Sequence, residues 1–228
     1  MIISSSNIIS ILLILATSAL LIITGLKKRP GIGILGSIII ISITLWLRGQ
    51  NLNAIGFSLP ENWGATILLG LIYGCVLYLL STVFIDPFSE KLTKTSHDYS
   101  SFSSIRGNWK AYIQTLVMVW IFVATIEEGL YRGFLMTEVS NIVGADLYGT
   151  IFNIIFTSIV FGLSHAYQNR CGILSTASIG ILFGCIFVIC GFNVWVAIFA
   201  HGFLDTIALG SIFLGKENYI HQKIWNRG

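Results

Sequence analysis

Long apolar runs separated by short polar breaks set the architecture of this chain. The first run extends from Ile8 to Ile23 and is closed by Lys27-Lys28-Arg29-Pro30; the second, Ile32 to Leu47, stops at Arg48-Gly49-Gln50-Asn51. A third covers Trp63 to Ile85. Apolar residues resume at Ala111 and continue to about Gly144-Ala145-Asp146, and three further runs cover Tyr148 to Leu163, Ile173 to Cys190 and Val194 to Leu214. Most approach or exceed the ~20 residues that a helix needs to cross a hydrocarbon core of about 30 Å. The pattern predicts an all-α fold, a polytopic membrane helical bundle of about seven transmembrane helices in a lipid bilayer. It also predicts a single membrane domain over residues 1–228. Three helices fill residues 1–85, a polar loop occupies 86–110, and the remaining helices lie in 111–214. The N-terminal run lacks the basic leader of a cleaved signal peptide, so it is read as a retained first helix.

Composition supports this reading. The 228 residues are 55% hydrophobic and 10% charged, with a mean hydropathy of +0.84, well outside the soluble globular range. Cys75, Cys171, Cys185 and Cys190 form no Cys-x-x-Cys pair and are read as small packing residues. A formal charge of +3, without a basic run interleaved with aromatics, argues against a nucleic-acid partner. The distribution of charge says more than its sum. With the N-terminus outside, the inner connections hold Lys27, Lys28, Arg29, Lys91, Lys94, Arg106, Lys110, Arg170, Lys216, Lys223 and Arg227, against Arg48 and Arg132 elsewhere. Positive residues favour the inner side, so the expected orientation is N-terminus outside, C-terminus inside.

Charge inside an apolar run demands a reason, because an ionisable side chain at the bilayer centre costs about 2.5–3.5 kcal/mol on insertion scales. The fourth run contains Glu127-Glu128 and Arg132. Arg132 follows Glu128 by four residues and suits it as a helical ion pair, which leaves Glu127 free. Two of the four histidines also occupy apolar runs: His165, four residues after Phe161, and His201, four residues before Asp205. His97 and His221 lie in polar stretches without a partner at helical spacing, and no role is assigned to them.

Counting places these groups at one depth. Glu127 lies 19 residues before Asp146 and His165 lies 19 after it, so a hairpin turning at Gly144-Ala145-Asp146 brings them level. The helix this requires, from Ala111 to Val143, is about 50 Å long at 1.5 Å per residue. It must tilt, project or bend, and Gly129 and Gly133 are the expected bending points. A second hairpin about Gly191-Phe192-Asn193 carries His201 toward the same level.

Glu127-Glu128-x-x-x-Arg132, Phe161-x-x-x-His165 and His201-x-x-x-Asp205, in that order on successive helices, resemble the three motifs of the CAAX prenyl protease type II and bacteriocin-processing (CPBP, or Abi) family of intramembrane proteases. The resemblance covers roughly residues 111–214 and makes that region a protease core; the first three helices carry none of it. Many members have Asn where this chain has Asp205, and an ionised Asp accepts hydrogen bonds without donating them. The resemblance implies a membrane-associated peptide or protein substrate and residence in a bacterial plasma membrane. It does not name the substrate, since members range from removal of a C-terminal tripeptide from prenylated proteins to peptide maturation and self-immunity.

Peptide hydrolysis needs an activated water and donors for the developing oxyanion. Glu127 and His165 are the candidates for the water, and His201 for the oxyanion, with Asp205 orienting the His201 ring from one turn away. Glu128, Arg132 and Phe161 are the supporting residues. The same atoms suggest a metal alternative: His165, His201 and Glu127 resemble a two-His, one-carboxylate zinc site, although no His-Glu-x-x-His signature is present. Two other function classes remain open at this stage, a proton-coupled transporter and a catalytically silent membrane immunity or scaffold protein. Gly180 and Gly184 form a small-x-x-x-small face that permits close helix approach or serves a homodimer.

Overall fold

In the computed structural model, which describes residues 5–217 and 224, seven helices are long and apolar enough to cross a membrane. They are α1 (Ser5–Leu26), α2 (Pro30–Leu47), α3 (Trp63–Thr93), α4 (Trp109–Val143), α5 (Leu147–Ser164), α6 (Asn169–Ile189) and α7 (Val194–Phe213). No strand occurs among the described residues. His221, Lys223 and Arg227 lie outside the described residues.

The helix ends follow local chemistry. Pro30 opens α2, where its missing N–H is no loss. Asn62, Asn108, Asp146 and Asn193 cap α3, α4, α5 and α7, each side chain accepting from a backbone N–H two or three residues on. Both expected hairpin turns are present, with Gly144 at φ 85° and Gly191 at φ 71°.

Two boundaries differ from the sequence pattern. The polar stretch after Ile85 begins as helix, because α3 passes through a π-helical turn at Ser81–Ile85 and continues as Asp86–Thr93. Pro87 fits there because the wider turn, in which the Asp86 N–H reaches the Ser81 carbonyl, has already interrupted the regular ladder. The long helix α4 starts at Trp109 and contains two wider turns of its own, Val119–Val123 and Gly129–Leu135. Gly129 and Gly133 fall within the second, and both also admit a neighbour. A Cβ on Gly133 would stand 2.5 Å from the Ile55 carbonyl oxygen, and one on Gly129 would stand 2.7 Å from the Phe57 ring. The loop carrying Ile55 and Phe57 is held there by α7, whose Val194 N–H donates to the Gly56 carbonyl at 3.0 Å.

The three N-terminal helices pack on the helices that carry the motifs. α3 runs along α7, while α1 lies against α2, α5 and the last turns of α4. A polar clasp about the buried Glu138 joins α1, the end of α2 and α4: Glu138 accepts from the Arg48 guanidinium (2.5 and 3.1 Å) and from Ser10 Oγ (2.7 Å). Arg132, counted from sequence with the connections, is instead 2% exposed inside α4. The Gly180 and Gly184 face is occupied within the chain, by Ser158 and Phe161 and by Ile154 of α5.

Candidate active site

The three motifs converge. Glu128, fully buried, receives two hydrogen bonds on Oε1, from Arg132 Nη1 at 3.0 Å and His201 Nδ1 at 2.8 Å. The Arg132 guanidinium also donates to the Gly180 carbonyl at 3.2 Å and lies 4.6 Å from the Phe161 ring centre and 5.0 Å from that of Phe183. A planar cation between two aromatic faces, with a carboxylate at its edge, keeps its charge compensated without water. Phe161 thus supports Arg132. Glu128 does more than the sequence pairing indicated, since it also orients the His201 ring.

Glu127 is left free of that network. It is 7% exposed, and its Oε1 stands 4.0 Å from Nε2 of His165, so the hairpin count brings the two side chains face to face. His165 closes α5, with Nδ1 2.8 Å from the Phe161 carbonyl oxygen. A carbonyl only accepts, so Nδ1 carries the hydrogen and Nε2 presents a lone pair toward Glu127. Two residues that the sequence reading passed over brace this arrangement. Tyr131 donates to Ser164 Oγ at 2.7 Å, and Ser164 donates to the same Phe161 carbonyl at 2.7 Å. Tyr131 follows Glu127 by one helical turn, which is the signal that would have singled it out.

On the other side of the site, His201 Nε2 lies 3.5 Å from Asp205 Oδ2. Each ring nitrogen of His201 therefore faces a carboxylate, Glu128 tightly and Asp205 loosely. Glu127, His165, His201, Asp205 and Tyr167 line one end of a cavity of about 500 Å³. His97, Asp86 and Tyr99 also line it. His97 has partners after all, though none at helical spacing on its own segment: its Nε2 lies 3.1 Å from both Asp86 Oδ1 and Ser175 Oγ, and its N–H donates to Glu90 at 3.0 Å. Burial lowers the His97 pKa, but the Asp86 hydrogen bond and the charges of Asp86 and Glu90 outweigh it, and the net shift is upward.

The first helix contributes by backing this turn. A Cβ on Gly25 would collide with the Ser164 carbonyl oxygen, so α1 touches the backbone immediately before His165. Only glycine permits that approach.

The zinc alternative meets the same geometry. Among the described residues no three His, Cys, Asp or Glu side chains gather as a metal ion requires. The Glu128 contact at His201 Nδ1 is compatible with a metal at Nε2, but that Nε2 faces Asp205 at 3.5 Å rather than Glu127. The set His165, His201 and Glu127 does not fit a zinc ion as arranged.

Comparison with curated proteins gives no match, and neither does comparison with solved structures. The family model described as type II CAAX prenyl endopeptidase Rce1-like matches residues 109–207, a segment that begins with α4 and contains every motif residue assembled at the cavity. That segment, a little under half of the chain, is similar to the Rce1-like family.

Proposed function

We propose that the protein is an intramembrane endopeptidase that hydrolyses a peptide bond of a membrane-associated protein or peptide, with water activated by Glu127 and His165. The observation that carries this reading is the facing of Glu127 Oε1 and His165 Nε2 at 4.0 Å. That gap is too wide for a direct hydrogen bond, yet one water can reach both at about 2.8 Å. Glu127 takes a proton from that water as its oxygen attacks the carbonyl carbon. The bare Nε2 of His165 accepts a hydrogen bond from the water's other hydrogen, which stays on the attacking oxygen, and so fixes its direction. The carbonyl π pair moves onto oxygen, and His201, an imidazolium held between the Glu128 and Asp205 carboxylates, offers its Nε2–H to the oxyanion. Glu127 then returns the proton to the departing amine. Glu128 and Arg132 hold His201 in place, and the apolar wall keeps bulk water from competing.

The Rce1-like resemblance makes a prenylated C-terminal peptide the first substrate to try, and an unprenylated membrane peptide the second. The test reconstitutes the protein in liposomes with a peptide library containing both kinds and reads products by mass spectrometry. Glu127→Gln and His165→Ala are each expected to reduce cleavage by about 10²–10⁴-fold. Wild-type rates in either variant would overturn the assignment. Cleavage is expected to survive chelation; activity that vanishes on chelation and returns only with zinc would overturn the metal-free route.

A further inference from the structure

The oxyanion side of this site is short of donors. Asp205 when ionised can only accept, and at 3.5 Å from His201 Nε2 it competes with an oxyanion for the single hydrogen on that atom. Glu127 and Glu128 are acceptors as well, and Arg132 is spent on Glu128 and the Gly180 carbonyl. A tetrahedral intermediate is stabilised by preorganised donors where its charge develops, and loss of one costs about 10²–10³ in rate. A second donor should therefore be present.

We infer that the Tyr167 hydroxyl is that donor, a catalytic residue standing in for an amide at position 205; the inference rests on the peptidase reading above. Tyr167 sits on the short 3₁₀ turn Ala166–Gln168 that follows His165. Its ring centre is 5.5 Å from that of His165, and the ring lines the same cavity as Glu127 and Asp205. That places it beside the space a scissile carbonyl must enter. The hydroxyl oxygen accepts from Gln168 Nε2 at 3.2 Å, and among the described residues nothing takes its hydrogen. Tyr131, the other phenol at this end of the cavity, is committed to Ser164. As the water oxygen bonds to the carbonyl carbon and the π pair moves to oxygen, Tyr167 donates a hydrogen bond to that oxygen. It keeps its proton throughout, and the bond lapses when the C–N bond breaks and the carbonyl re-forms.

The experiment measures kcat and KM on the best-cleaved peptide of the liposome library for wild type, Glu127→Gln, Tyr167→Phe, Asp205→Asn and the Tyr167→Phe/Asp205→Asn double variant. Thermal unfolding of each serves as the control for folding. Tyr167→Phe, which keeps the ring, is expected to lower kcat about 100-fold and leave KM within about twofold. In the Asp205→Asn background the same change is expected to cost less than about tenfold, because the amide then supplies a donor. An inactive Glu127→Gln beside an undiminished Tyr167→Phe overturns this inference alone, as does an equal loss in both backgrounds. A library left uncut by the wild type, or cut equally by Glu127→Gln, overturns the peptidase reading and this inference with it.

Discussion

Arg132 is the residue on which the site's stability turns. Its positive charge is compensated by Glu128, a carbonyl and two aromatic rings, with no solvent shell to fall back on. Removing one member of such a buried pair leaves the other uncompensated and costs about 3–5 kcal/mol. Arg132→Ala is therefore expected to lower the unfolding midpoint in detergent sharply, and Arg132→Lys to rescue little of it, since an ammonium cannot stack and reach two acceptors at fixed angles. A Lys variant of wild-type stability would contradict this. The i, i+4 pairing of Glu128 with Arg132 was legible in the sequence because helical neighbours are fixed by spacing. The second partner, His201, was not, because it arrives from another helix. For the same reason Asp205 was expected to orient the His201 ring, whereas Glu128 holds it at 2.8 Å.

At the scale of elements, helices set by their own lengths were the readable part. The hairpin between α4 and α5 brought Glu127 to His165 because two equal arms of 19 residues meet in register. Contacts between helices distant in sequence were hidden. Gly25 in α1 gave no sign that it abuts the Ser164 carbonyl. Gly25→Ala is expected to displace the His165 turn and reduce kcat about tenfold or more while the protein stays folded; unaltered turnover would remove α1 from the site's support. The segment after α3 is held differently, by His97 against Asp86, Glu90 and Ser175, beside the Tyr99 ring. Because the His97 pKa is raised above 6.5 in the fold, its stabilising contribution is complete below that value and disappears as pH climbs through the raised one. Amide exchange around residues 94–105, corrected for its intrinsic pH dependence, should accelerate over that rise in the wild type and show no such step in His97→Gln.

For the whole molecule, the charge asymmetry survives the corrections to individual residues. Lys27, Lys28, Arg29, Lys91, Lys94, Arg106, Lys110, Arg170 and Lys216 flank one set of helix ends and Arg48 the other. A membrane-impermeant maleimide added outside is expected to label Asn51→Cys and spare Lys94→Cys in a variant without native cysteines; the reverse pattern would invert the orientation. His165, at the close of α5, belongs to the Lys-rich end. The packing of α1 on the turn before His165 also bears on how the protein is made. Among the described helices α1 enters the bilayer before its partner α5, which follows more than a hundred residues later, and the ring of His201 comes later still with α7. A chain made only as far as α4 thus holds Glu127 without the His165 and His201 rings that face its site in the folded protein. On the peptidase reading, proteins at the insertion site stay uncut until α5 and α7 have joined α4.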